Sequence, residues 1–496
     1  MPVRDHAADC NPPPALPYSQ KERTHRETRG LPDTPVSKAG FFVEVPVDVM
    51  ASVPIDVDAV RRHFAFPATR QTVTNNAAST QPPRELVDLL RELTPDYENV
   101  HRGQSLASKT TTARFETAYD TIAQFIGAPD RSSIVVTRNT TEAHNIVMYS
   151  LMTEFRPGDN IVTTMMEHNS NYVPWYGLCR EILPKFGRNV EYRIARFDPE
   201  TGELDLAHLR SLIDDRTKLV CCTGASNFLG TKNDLAAVRE LSSRSGYSQP
   251  DGRSGSYLLV DGAQLVPSTF VDVRQLDVDF LSFSFHKMLA PFGAGVLYAK
   301  VGLLESMLPC MYGGDMVANG GVSDDLVEYN TLPWKFTAGT PNILGTIVSA
   351  QALRLLVDLA LTPQYPRFFS ISAPLPRDIV KCAMDRIRQH TQDLTARALD
   401  SLSRVPGLRI YGPSSAARRT SLVAFNLDGR DPFDVAERLS RDGVESRAGC
   451  HCATLAHRFL NLTPPASCRL SFYIYNTPDD IDRACDAVGA VSRGRL

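Results

Sequence analysis

From about residue 75 to 335, short apolar runs alternate with amphipathic stretches, and this alternation limits the chain to one broad class of fold. Ile134–Thr137 (IVVT), Ile161–Thr164 (IVTT), Lys218–Cys222 (KLVCC), Tyr257–Asp261 (YLLVD) and Gly295–Ala299 (GVLYA) read as buried strands. Between them, Thr112–Ile126 and Asp234–Ser243 carry helical spacing. Strands alternating with helices imply βαβ units, hence an α/β fold whose mostly parallel sheet is covered on both faces. In such a sheet ligands bind beyond the carboxyl ends of the strands.

The pattern changes after about Gly339. A helical run at Ile343–Leu361 leads into a Pro-punctuated stretch, Thr362–Arg377, and a helix at Asp378–Ser403. Strand candidates follow at Leu408–Tyr411 and Leu422–Leu427. The next helix is expected over Pro432–Arg441, with Asp431 as N-cap and Pro432 at the first helical position, and a final one near Pro478. The expected organisation is a disordered Pro-rich extension (1–40), a segment packing on the smaller domain (41–74), a large domain (75–340) and a smaller α+β domain (341–496). Ser242–Ser256, rich in Gly and Ser, reads as a surface loop.

A formal net charge of -3 with no basic block argues against nucleic acid as a partner. No apolar run of membrane-spanning length is evident, and the N-terminus lacks the apolar core of a secretory signal, so a cytoplasmic protein is expected. Ten cysteines in 496 residues are no disulfide scaffold. Cys221 and Cys222 sit in an apolar run and read as core residues. Cys450 and Cys452, in RAGCHCA, lie among Gly, His and Arg instead. One His and two Cys are too few for a zinc site without distant help, so no metal is expected. A reactive thiol and an inert loop thiol both remain open.

The densest chemistry lies in DGAQLVPSTFVDVRQLDVDFLSFSFHK. Asp261 closes an apolar strand, and Lys287 follows the end of another, Asp279–Phe285, with Ser284 and His286 beside it. Burial would lower the lysine pKa, so that a neutral amine could condense with an aldehyde. An aspartate one strand away could hold a pyridine nitrogen protonated, turning the ring into an electron sink. Taken alone, each of the two is more often a surface or turn residue. In SSIVVTRNTTEAHN, Thr140 and Thr141 stand where a strand turns into a helix, a place suited to phosphate as well as to an ordinary Thr cap.

Ten segments together, TNNAASTQPP, NVHRG, TRNTTEAHN, MEHNSNYVPW, GASNFLGT, DGAQLVP, SFSFHK, KFTAGTPN, SRAGCHCA and CRLSFYIYNT, resemble the class V aminotransferase fold family. The branch they resemble is that of cysteine desulfurases and selenocysteine lyases. The resemblance implies a fold type I enzyme with pyridoxal 5'-phosphate on Lys287, which would also move the Cα proton. Asp261 would pair with the pyridine nitrogen, Gln264 would contact the phenolic oxygen, and His168 would stack on the ring. Thr140, Thr141, Ser284 and His286 would hold the phosphate, and Thr340 would reach the phosphate of a partner subunit's site, which implies a homodimer. Asn227 and Arg469 would bind the carboxylate of a cysteine-like amino acid, and Cys452 would accept its sulfur. The resemblance also implies a dedicated sulfur-acceptor protein.

The chain departs from that pattern at Cys450 (often His), Phe285 (often small), Lys335 (often Arg) and Asn75 (often Asp), changes expected to bear on the substrate side. Alternatives on the same cofactor are a C–S lyase, an epimerase or an aminotransferase. A non-catalytic scaffold is disfavoured by the joint presence of Lys287, Asp261, His168 and Arg469.

Overall fold

The computed structural model describes residues 53–66, 72–250, 252–364, 369 and 375–494. The expected disordered extension lies outside them, as does much of 41–74. Seven strands form one sheet: β1 (Ile134–Thr137), β2 (Asn160–Thr164), β3 (Glu191–Ala195), β4 (Thr217–Thr223), β5 (Tyr257–Asp261), β6 (Phe280–Ser284) and β7 (Gly295–Ala299). Their spatial order is β1-β7-β6-β5-β4-β2-β3. The strands from β3 to β6 pair in parallel, and β7 is antiparallel to both neighbours.

Each strand expected between 134 and 299 is present. The extra strand, β3, was not legible because it is an edge strand with Glu191 exposed and Arg193 half-buried, which breaks the apolar run. Along β4 the period of two is plain: Leu219 and Cys221 pack in the core on one face, Val220 and Cys222 in the core on the other. Both cysteines are therefore core side chains, as expected.

The principal helices are α1 (Leu106–Ile126), α2 (Thr140–Leu151), α3 (Leu235–Ser243), α4 (Ile343–Leu361), α5 (Arg377–Ser403), α6 (Pro432–Arg441) and α7 (Pro478–Ser492). Their ends follow local chemistry. Ser105 caps α1, and Gly127 stops it at φ +72°. Asp234 caps α3 rather than opening it, and Asp431 caps α6 with Pro432 at the first position. A second, antiparallel sheet is ordered β8 (Leu408–Tyr411), β9 (Leu422–Leu427), β11 (Ser467–Ser471) and β10 (Arg447–Gly449). Thr72–Val73 pairs in parallel with Val444–Glu445.

Two expectations need correction. Helix α4, at 19 residues and mean hydropathy 1.6, is long and apolar enough to cross a membrane by length and composition, yet it is buried inside the fold. Its buried Arg354 donates to Thr121 Oγ1 (2.9 Å), and Asp358 accepts from the Phe369 amide (2.8 Å), so this is a core helix. Ser242–Ser256 is not simply a surface loop. Tyr247 and Gln249 are 2% and 3% exposed. Tyr247 donates to Asp159 (2.8 Å), and Gln249 binds the carbonyls of Lys218 and Gly255 while accepting from Lys218 Nζ (3.2 Å). The segment plugs the amino ends of β2 and β4, and its composition hid these side-chain anchors.

Beyond β8, Gly412 (φ +88°) lies so near the Asn227-bearing turn that a Cβ would meet the Leu229 carbonyl oxygen at 2.0 Å. Gly412→Ala combines a left-handed backbone with that clash. It is expected to lower unfolding free energy by about 1–3 kcal/mol in thermal or urea melts. A change below about 0.5 kcal/mol would show that the backbone yields there.

Candidate active site

The carboxyl ends of β4, β5 and β6 open into a cavity of about 260 Å³, and residues of the second sheet close its far side. Thr140, Thr141, His168, Asn227, Asp261, Gln264, Ser284, His286, Lys287 and Arg469 all line it. Thr340 does not line it. It is exposed in its own chain. Cys452 stands just outside the lining, on the residue after His451, which is part of it.

Lys287 is half-buried at the cavity wall, and desolvation lowers its pKa to about 8, against the opposing pull of Asp261. The Asp261 carboxylate is fixed by the Ala263 amide (2.9 Å). The loop at 79–80 clamps the backbone just before the lysine: the His286 carbonyl accepts from the Thr80 amide (2.9 Å) and from the hydroxyls of Ser79 and Thr80 (both 3.1 Å). Burial, then Lys287, lowers the His286 pKa to about 4. His168 is also brought down to about 4, by burial first and Lys287 second. Its Nδ1 accepts from the Ser170 amide (3.0 Å), so the neutral ring carries its proton on Nε2.

At the amino end of α2 the cap is Asn139, whose side chain accepts from the Glu142 amide (3.0 Å); the threonines occupy the first two helical positions. The Thr140 amide donates to Ser284 Oγ (2.8 Å), and Thr141 Oγ1 meets Ser170 Oγ (2.7 Å). Asn139, Thr140 and Thr141 all line the cavity, so the positive end of a 12-residue helix opens onto it among several hydroxyls. Gly295 permits this closeness, since a Cβ there would lie 2.7 Å from Asn139 Cα.

On the opposite wall, Arg469 is 1% exposed and donates from Nη1 to the Asn227 carbonyl (2.6 Å), while Nε and Nη2 have no protein partner. A buried guanidinium with donors to spare is suited to a carboxylate. Asn227 Nδ2 binds the His451 carbonyl (2.5 Å), and the Asn169 amide binds the Cys452 carbonyl (2.7 Å). His451 and Cys452 have φ of +50° and +57°, and the Ala453 amide closes onto the Cys450 carbonyl (2.7 Å). This is a type I′ turn made without glycine.

Sequence reasoning did not name Arg447 among the cavity residues, nor single out Glu167, which does not line the cavity. Arg447 lines the cavity from β10 as a second cation. Glu167, fully buried, is pushed up to about 8 by desolvation despite accepting from Thr164 (2.6 Å), the Thr223 amide (2.9 Å) and Asn171 (2.6 Å). The signal available for both was position within SRAGCHCA and MEHNSN. Conversely, Phe285 and Lys335 are not in the cavity of this chain. Phe285 packs edge-on against Phe283 in the core, and Lys335 Nζ donates to the carbonyls of Leu304 and Glu305.

The sequence matches the family profile described as Aminotransferase class-V over residues 72–364 and 360–484. The chain belongs to the class-V aminotransferase family. A curated relative from Haloferax volcanii, named cysteine desulfurase, is 36% identical over 462 residues, covering 89% of this chain and 98% of that one. The apo structure of a cysteine desulfurase from Thermococcus onnurineus superposes with a TM-score of 0.76 at 29% identity, covering 89% and 99% of the two chains. A cysteine desulfurase from Escherichia coli, solved in an S-sulfonic acid form, gives 0.73 at 30% identity, with 89% and 99% covered.

Class-V aminotransferases of this kind work with pyridoxal 5'-phosphate. The cavity fits that group: a half-buried lysine with a lowered pKa for the aldehyde, a carboxylate for the ring nitrogen, and a helix amino end with hydroxyls for the phosphate. Because Lys287 reacts only when unprotonated, the rate of cofactor uptake by apoprotein is expected to rise with pH through about 8 and then level off. Stopped-flow absorbance checks this, and Lys287→Ala should yield no borohydride-trapped adduct.

Proposed function

We propose that this chain takes sulfur from L-cysteine, or selenium from selenocysteine, to give alanine and a persulfide on Cys452. The observation that carries this is the meeting in one cavity of a half-buried lysine near Asp261 and an arginine with unpartnered donors, beside Cys452. The names of the relatives agree with it.

The residues divide the work. Lys287 would hold the cofactor aldehyde, Asp261 the ring nitrogen and Gln264 the phenolic oxygen, with His168 beside them. Thr140, Thr141, Ser284 and His286 would hold the phosphate. When bound, pyridoxal phosphate draws electrons from the substrate's Cα and so weakens the Cβ–S bond. Arg469 and Asn227 fix the substrate carboxylate, which aims the sulfur at the turn carrying Cys452. The Cys452 thiolate forms a bond to that sulfur as the Cβ–S bond breaks, and the carbon fragment takes up protons to become alanine. Lys287 Nζ, whose neutral form burial brings within reach near pH 8, can take and return the Cα proton, and His168 can hold one at Nε2.

In this reading residues 75–340 carry the cofactor and 341–496 the sulfur-accepting turn. Thr340 serves the site of a second copy, supported by its exposure and by the exposed apolar side chains of Met311, Tyr312, Leu326 and Val327 earlier in the same stretch. Free thiols at Cys450 and Cys452 support a reducing, cytoplasmic setting with a protein that receives the sulfur.

Cys452→Ser should keep the bound-cofactor absorbance while alanine formation from cysteine falls at least roughly 100-fold. Appearance of pyruvate and ammonia in place of alanine would mark a lyase and overturn the assignment. Arg469→Ala, which removes a charge-assisted clamp, should raise KM for cysteine by roughly 10- to 100-fold in steady-state assays. Light scattering is expected to give twice the chain mass.

A further inference from the structure

The turn that carries Cys452 holds a second thiol that the reaction above leaves idle. Burial raises the pKa of Cys179, Cys221, Cys222, Cys310, Cys382, Cys468 and Cys485. Cys450 differs. Burial pushes its thiol up, but hydrogen bonds from the Thr454 side chain and from the amides of Cys452 and Cys450 itself outweigh that, helped by Arg447. The sulfur is half-buried and held by donors that favour the thiolate.

Geometry places it within reach of its neighbour. The type I′ turn folds residues 450–453 back, with the Ala453 amide on the Cys450 carbonyl, so that the two cysteines flank His451 on one tight turn. The two cysteines stand two residues apart on that turn, and a persulfide on Cys452 would carry its outer sulfur about 2 Å beyond Sγ. The charges they feel differ. Cys452 acts on Lys287 and Arg469 at the cavity, whereas Cys450 is turned to Thr454 and Arg447.

We propose that Cys450 takes the outer sulfur from a Cys452 persulfide and is the thiol from which sulfur leaves the enzyme. This rests on the reading that Cys452 accepts sulfur first. The Cys450 thiolate forms a bond to the outer sulfur, the bond between that sulfur and Cys452 Sγ breaks, and Cys452 departs as a thiolate. One thiolate and one persulfide stand on each side of the step, so no oxidant or reductant is consumed. Cys452 is then free for a second turnover before any acceptor arrives.

The test loads holoenzyme with L-cysteine in the absence of reductant, quenches with an alkylating agent, and locates sulfane sulfur by tandem mass spectrometry. His451 between the two cysteines separates the fragment ions. The wild-type chain is expected to carry sulfur on Cys450 and to release about two alanines per chain in the burst. In Cys450→Ser, sulfur should stay on Cys452 and the burst should halve, with bound-cofactor absorbance confirming the fold. Sulfur on Cys452 alone in wild type with an equal burst in Cys450→Ser overturns the relay and leaves the proposed function standing. A Cys450–Cys452 disulfide with released sulfide also overturns the relay. Loading of Cys450 in Cys452→Ser overturns both the relay and Cys452 as first acceptor.

Discussion

The partial desolvation of one amine governs the rest of this molecule. A lysine in solvent is protonated at neutral pH and cannot attack a carbonyl, whereas burial brings Lys287 to about 8. That burial is available because the strands ending at the cavity are themselves buried on both faces: every residue of β4, β5 and β6 is buried. The register of β5 on β6 sets Asp261 beside Ser282, two residues before Ser284, so the carboxylate and the lysine beyond Ser284 face one hollow. A slip of one residue in that pairing would send the carboxylate to the opposite face.

The cavity is shared between two sheets, and a few hydrogen bonds tie its halves together. Arg469 on β11 donates to the Asn227 carbonyl, Asn227 donates to the His451 carbonyl, and the Asn169 amide donates to the Cys452 carbonyl. Asn227 is thus a link between the cavity-lining arginine and the turn bearing the thiols. A buried guanidinium with donors to spare gives this wall its positive character.

The sequence disclosed what depends on local chemistry. β1, β5 and β7, and the caps Asp431 and Pro432, were legible because a doubly buried strand and a capped helix announce themselves in a few residues. The edge strand β3 was hidden by its polar face, and Ser242–Ser256 by a composition that looks exposed although Tyr247 and Gln249 are buried anchors. Most site residues that motifs could name, among them Thr140, His168, Asp261, Lys287 and Arg469, do meet in one cavity, whereas Thr340 is exposed away from it and Cys452 stands just outside its lining. Glu167 and Arg447 were not legible, since each depends on partners brought close only by the fold: Thr223 for the acid, the cavity wall for the arginine. The Thr140–Thr141 pair gave the right place and the wrong cap, because Asn139 competes better for that position.

The turn at 450–453 makes the same point about strain. Two consecutive left-handed residues without glycine cost on the order of 1–2 kcal/mol each. Glycine at either place would relax the backbone and remove a functional side chain. The bonds that hold the strained form all end on backbone carbonyls, of Cys450, His451 and Cys452. The His451 ring adds a contact to Ser467, which in turn meets His457. None of these bonds consumes a thiol. The backbone is thus fixed at the cavity rim by bonds that leave both thiols available for chemistry.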